Sequence, residues 1–394
     1  MRTDPSLPRP FLAKARLLDF MRQADQSGLI NLAAGVPGLD ALPDAALRQA
    51  FQAALEKDGA AVWAYHHPEG DLALRHQLAL RLQSRGVSHV RPEHLITTTG
   101  CTQALHILLS LMVQPGTLVA CEAPAYYGML EILSDARARV LPLPCTPSQG
   151  GLDLAQTEAL LRHHRPACLV LCSTLSNPSG STLPEEERPP LVELCRSLGV
   201  RIIEDDIYGE LFDSGAPSPL LRYDPSGEVV SYVTSFSKTV SPGLRCGFAV
   251  PGSLHERYAQ RKCQQDLHGA VPSEAILREF LAQGAMDPHL LWLRERNRHR
   301  RSLALEAIHR TFPQPSRVSD PLGGFMLWVQ LPPSLSLAAL REAARAEGVV
   351  FASGDVFDTD PRPSPCIRLN CAKASESDLL RGISILGRIA HTLV

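Results

Sequence analysis

Residues 167–206 read ACLVLCSTLSNPSGSTLPEEERPPLVELCRSLGVRIIEDD. The run from Ala167 to Ser173 is apolar without alternation, the segment from Leu183 to Gly199 has the length of a helix, and Val200 to Asp205 is a second apolar run. Short, continuously apolar strands joined by a helix are the pattern of parallel strands covered on both faces. Outward from this stretch the alternation recurs. Residues 117–122 (TLVACE), 139–144 (RVLPLP), 229–235 (VVSYVTS) and 246–250 (CGFAV) are further strand candidates, and residues 71–86 and 102–113 carry apolar positions at helical spacing on either side of HLITTTG. The expected fold is α/β, with a large domain whose mostly parallel sheet has helices on both faces. Ligands of such sheets sit at the carboxyl ends of the strands, so the polar residues that follow each apolar run are the first candidates for a site.

After about residue 285 the character changes. A long Arg-rich helical stretch (residues 289–312) leads into fewer strand candidates, FMLWVQL, VVFAS and CIRLNC, and a last helix at residues 376–390. This predicts a smaller C-terminal α+β domain. The expected division is an N-terminal arm at 1–45 that partly joins the small domain, a large domain at 46–285, and the small domain at 286–394. The basic run at 290–301 reads as a solvated helix face, since no clustered aromatics or nucleic-acid motif accompany it.

Composition narrows the function. Apolar residues are 44% and charged residues 20% of the 394, ordinary globular usage. Lys plus Arg (39) nearly balances Asp plus Glu (41), so the footprint of a nucleic-acid binder is missing and a small-molecule partner is expected. The opening residues show no secretory leader and no stretch reads as a membrane span, which predicts a cytoplasmic protein. The ten cysteines are scattered without a CxxC pair and read as reduced, mostly buried thiols.

The chemistry concentrates in Ser235-Phe236-Ser237-Lys238-Thr239-Val240-Ser241-Pro242-Gly243-Leu244-Arg245-Cys246-Gly247. A lysine after a buried strand, flanked by Ser235 and Ser237 and followed by Arg245, supplies an amine for a Schiff base and donors for a dianionic phosphate. The stretch resembles the lysine motif of fold-type I, class I/II aminotransferases, in particular the branch of aminoadipate and kynurenine aminotransferases. The resemblance runs in order from about Ile30 to Arg368.

That resemblance implies pyridoxal 5'-phosphate as cofactor, with Lys238 as its anchor. It assigns Asp205, in Glu204-Asp205-Asp206-Ile207-Tyr208, to the pyridine nitrogen and Tyr208 to the ring's 3-oxygen. A carboxylate there keeps the ring able to accept electrons. Asp206 is the competing acid, with a helix N-cap as its other role. Asn177, in Asn177-Pro178-Ser179-Gly180, matches the NPxG asparagine that touches the same oxygen and borders the substrate. Gly100, Cys101 and Thr102 open a helix where the phosphate would sit. Relatives commonly have Gly-Ser-Gln-Gln at this point, whereas this chain has Gly100-Cys101-Thr102-Gln103. Tyr126, in the PxYxG pattern, would lie on the cofactor ring, with Tyr127 as packing or substrate lining.

Tyr65 matches a residue that crosses a dimer interface to the partner's phosphate, which implies a homodimer with shared active sites. His66, His67 and Pro68 depart from the family's small residues there. Adjacent histidines diverge and no further ligand completes a set, so no metal is expected. Arg368, in Cys366-Ile367-Arg368-Leu369-Asn370, matches the arginine that grips the substrate carboxylate, and Gly35 would lie beside it. The implied reaction is transamination between an α-amino acid and a 2-oxo acid, in which Lys238 moves the α proton. Elimination, replacement, cyclisation or oxidation on the same cofactor is the rival chemistry. A DNA-binding sensor is the rival class, and the roughly 30 residues before Gly35 leave it no winged-helix module.

Overall fold

In a computed structural model, residues 11–13, 18, 22, 28–146, 151–359 and 365–394 are described. Most of the expected arm before Gly28 lies outside the described residues. β1 (Ile30–Asn31) precedes an eight-stranded sheet made of β2 (Ile96–Thr98), β3 (Leu118–Ala123), β4 (Arg139–Thr146), β5 (Gly151–Leu152), β6 (Cys168–Leu171), β7 (Arg201–Asp205), β8 (Val230–Ser235) and β9 (Gly247–Val250). The spatial order is β2-β9-β8-β7-β6-β3-β4-β5. The five strands β8-β7-β6-β3-β4 are mutually parallel, whereas β9 runs antiparallel between β8 and β2.

Alternation sends successive side chains of these strands into two separate cores. Leu169, Leu171, Ile202, Val230 and Tyr232 face one core, against Leu74 and Leu78 of the helix Leu72–Ser84 and Leu191 of the helix Arg188–Leu198. Cys168, Val170, Ile203 and Val233 face the other, against Leu105 and Leu108 of the helix Cys101–Met112 and Leu133 of the helix Tyr127–Asp135. Both faces are apolar because both are covered. That is why these strands read as unbroken hydrophobic runs.

Beyond the helix Met286–Thr311 come β10 (Arg317–Val318), β11 (Met326–Gln330), β12 (Val349–Val350), β13 (Ala352–Ser353) and β14 (Cys366–Asn370). Four of them form an antiparallel sheet in the order β10-β11-β14-β13. The run VVFAS is not one strand. It breaks at the buried Phe351, so that β12 pairs in parallel with β1 while β13 joins β14.

The basic helix departs from expectation. Arg300 and Arg301 are 5% and 4% exposed rather than solvated. Arg300 Nε donates to the Cys371 carbonyl at 2.6 Å, and Arg301 Nη1 donates to the Gly324 carbonyl at 2.6 Å while Nη2 pairs with Asp213. The planar guanidinium satisfies loop carbonyls that no helix or strand would pair. Arg298 does face solvent and pairs with Glu295. None of the ten cysteines is in a disulfide, and eight are buried. Among the described residues, no helix is long and apolar enough to cross a membrane.

Candidate active site

The carboxyl ends of β3, β6, β7 and β8 open on a cavity of about 400 Å3, closed on the opposite side by residues 34–36 and by Arg368 of β14. Asp205 ends β7 with its side chain in the cavity. Its Oδ1 accepts from Cys101 Sγ at 3.5 Å and from the Ile207 N–H at 3.3 Å. Burial pushes this carboxyl up to about 6, against the pull of those two donors. Asp206, one residue on, points the other way. It accepts from Arg85 Nη1 and from the Tyr232 hydroxyl, the latter at 2.8 Å, on the far face of the sheet. The N-cap role considered for it is absent: the short helix that follows has Tyr208 as N-cap and no side-chain cap.

Lys238 Nζ donates to the Gly35 carbonyl at 2.6 Å. Burial, then the Arg368 charge, lowers this amine to about 8. Tyr208 lines the cavity, and burial raises its phenol well above the ordinary value, which keeps it a protonated donor. The Tyr126 ring packs so closely on the next helix that a Cβ at Gly128 would stand 2.5 Å from its Cζ. Only glycine permits that approach.

At the other end, Gly100 adopts φ 99° and caps the helix Cys101–Met112. The first N–H groups of a helix lack internal partners and form an anion site. Thr102, Ser235, Ser237 and Arg245 line the cavity with them. Ser235 and Ser237 hydroxyls lie 2.8 Å apart, and Arg245 Nη1 donates to Ser237 Oγ at 3.3 Å while Nη2 donates to the Thr99 carbonyl at 2.7 Å. A Cβ at Gly100 would fill this cradle, 2.7 Å from Arg245 Nη2.

Arg368 is fully buried in the middle of β14. Nη1 donates to Asn177 Oδ1 at 2.7 Å, Nη2 donates to the Ala33 carbonyl, and Nε has no partner. The Phe357 ring lies 4.8 Å from the guanidinium carbon. A Cβ at Gly35 would be 3.5 Å from Nη1, so glycine keeps this approach open.

The structure thus brings the expected residues together with one exception. Tyr65 lies outside the cavity, 84% exposed, with its ring edge-on to His268 at 5.4 Å. His67 Nδ1 stands 3.4 Å from a Glu69 oxygen, on the surface.

Residues not singled out from the sequence support the loop that carries Asn177. Glu122 accepts from the Cys172 N–H and the Ser176 hydroxyl, both at 2.8 Å, and burial pushes it up to about 8. Glu204 accepts from Ser173 Oγ at 2.5 Å and the Leu220 N–H at 2.9 Å. Arg188, fully buried, donates to Ser173, Thr174, Leu183 and Ser218. The signal was an acid inside an apolar strand, at TLVACE and RIIED, since a buried carboxylate must be paired.

The model of the family described as aminotransferase class I and II matches residues 27–386. The 2-aminoadipate transaminase of Thermus thermophilus is 30% identical over 382 residues, covering 95% of this chain and 94% of that protein. The crystal structure of the α-aminoadipate aminotransferase LysN from the same organism, complexed with N-(5'-phosphopyridoxyl)-L-leucine, superimposes with a TM-score of 0.88 over 97% of this chain and 96% of that one, at 30% identity. YjiR of Escherichia coli, an uncharacterized HTH-type transcriptional regulator, is 27% identical over 360 residues, 91% of this chain but 76% of that protein. With the family matched over nearly the whole chain, on the fold that its strand pattern predicts, this protein belongs to the class I and II aminotransferases.

Proposed function

We propose that the chain transfers the amino group of an α-amino acid to a 2-oxo acid with pyridoxal 5'-phosphate, held at Lys238. The observation that carries this reading is the Lys238 amine, buried and lowered to about 8, in one cavity with Asp205 and Arg368. The residues present fit the cofactor: the cradle at Gly100 has no room for a Cβ, and Ser235, Ser237 and Arg245 offer donors to a phosphate. When bound, pyridoxal phosphate supplies an aldehyde for amino-group exchange and a ring that takes up the electron pair released at the α-carbon.

The chain's own groups do the rest. Arg368, braced by Asn177, takes the substrate carboxylate in two parallel hydrogen bonds and fixes the α-carbon. Lys238, whose amine burial makes easier to deprotonate, would take the proton from the substrate's α-carbon and give it back on the cofactor carbon that is joined to the amino nitrogen. Asp205, with a folded value of about 6, would hold the ring nitrogen, and Tyr208 and Asn177 would donate to the 3-oxygen. Tyr126 covers the ring and excludes water. Cys101, Thr102 and Gly100 contribute backbone donors to the phosphate, and Gly35 borders the carboxylate.

The same reading makes the chain a homodimer in which Tyr65, exposed and off its own cavity, serves the partner's phosphate. It divides the chain into an arm (1–45), a large domain (46–285) and a small domain (286–394), with β1 linking the arm to β12. A cytoplasmic location suits ten cysteines outside any disulfide. Purified protein is expected to absorb as a lysine-bound cofactor, and an amino-acid panel read by mass spectrometry to yield 2-oxo acids. Products that retain the α nitrogen would replace transamination with another reaction of this cofactor.

A further inference from the structure

Lys262, on the helix His255–Asp266, is fully buried yet lies outside the cavity. Its ammonium donates to Asp266 Oδ1 at 3.2 Å. Asp266 Oδ2 accepts from Gln103 Nε2 at 2.7 Å, and Gln103 Oε1 accepts the Thr99 N–H at 2.9 Å. The Thr99 carbonyl in turn accepts Arg245 Nη2 at 2.7 Å. Every link dictates the next. A buried ammonium demands a carboxylate; the carboxylate only accepts, so the amide must turn its NH2 toward Asp266 and its oxygen toward Thr99. That oxygen holds the residue just before Gly100, and so sets the peptide that meets Arg245.

We propose that Lys262, Asp266 and Gln103 are positioning residues for the phosphate cradle, acting through Thr99 on Gly100 and Arg245. None of the three reaches the cavity, so their effect is carried by the backbone. The proposal rests on the cofactor reading above. It assigns a use to a charge buried behind the site.

The test compares holoenzyme with the same protein loaded with pyridoxal, which lacks the phosphate, and follows cofactor affinity by absorbance. Gln103→Met removes both amide bonds. It is expected to weaken pyridoxal phosphate binding roughly fivefold to tenfold, as loss of about one hydrogen bond would, and to leave pyridoxal within about twofold. Lys262→Met with Asp266→Leu removes the buried pair together, so no lone charge is left to unfold the helix, leaves Gln103 Nε2 without its acceptor, and is expected to show the same selective loss. Gln103→Glu with Asp266→Asn rebuilds the chain with donor and acceptor exchanged and is expected to restore the parent affinity. Equal losses for both cofactor forms, no loss, or failure of the exchange to restore binding overturns the relay. A parent protein that takes up neither form refutes the cofactor reading itself, and the relay with it.

Discussion

The two walls of the cavity are built differently. The eight-stranded sheet presents Tyr126, Asn177, Asp205 and Lys238 at or just beyond its strand ends, whereas the small sheet presents Arg368 from the middle of β14, paired on both sides by Trp328 and Ala352. Strand-end loops have unpaired backbone and freedom to aim several groups at one ligand. A strand interior has neither, and Arg368 is further confined by Asn177 and the Phe357 ring. One wall can aim several groups at one ligand; the other offers a single fixed fork. The expected division is that the first wall governs the cofactor and the second governs substrate grip.

The strongest challenge to that division is Lys238→Ala. Steady-state transamination should fall by roughly 10^4-fold, the upper range for losing a positioned acid–base group, with the circular dichroism of the fold retained. Activity within tenfold of the parent would break the assignment of the first wall. Arg368→Met should lower kcat/KM for amino acids by roughly 10^2-fold to 10^3-fold, as loss of a buried two-pronged charged contact does, while the bound cofactor's spectrum stays unchanged. Loss of the cofactor in that variant would erase the distinction between the walls.

A pH series sharpens the first wall. Lys238 is lowered from 10.5 to about 8, and only its neutral form attacks an aldehyde. The rate of cofactor attachment to cofactor-free protein should therefore climb about tenfold per pH unit up to about 8 and level off above it. A rate still climbing beyond pH 10 would mean an ordinary, unburied amine. The smallest effect is expected from Cys101→Ser, because a hydroxyl can replace the thiol as donor to Asp205 at 3.5 Å. Cofactor affinity should change by less than about threefold, as one weak donor is exchanged for a stronger one; a tenfold change would show that the thiol has a use of its own.

The strands of the large sheet were legible because burial on both faces leaves an unbroken apolar run, and β3, β6, β7 and β8 fall where those runs lie. The antiparallel direction of β9 was not, since CGFAV has the composition of a parallel strand and only its neighbours, β8 and β2, reveal its sense. VVFAS read as one strand because its break needs no turn residue: Phe351 is buried while the chain passes from one sheet to the other. At the candidate site, the sequence left Asp205 and Asp206 as rivals. Their opposite facing follows from alternation along β7, but which face holds the cavity depends on Arg85 and Tyr232, far away in the chain. Arg300 and Arg301 looked like solvent residues because the carbonyls that bury them come from distant loops.

The seam between the chain's beginning and its end sets when the protein can first work. Arg368 donates to the carbonyl of Ala33, and Asn370 Nδ2 donates to that of Val36, at 2.8 Å across 334 positions of sequence. At roughly 5 to 20 residues per second, a ribosome needs on the order of 20 to 70 s to deliver the second partner after the first. Through that interval the large sheet can form, but the carbonyls of Ala33 and Val36 must wait in water for their donors. A chain cut short anywhere before β14 would then be folded in its larger part and inert.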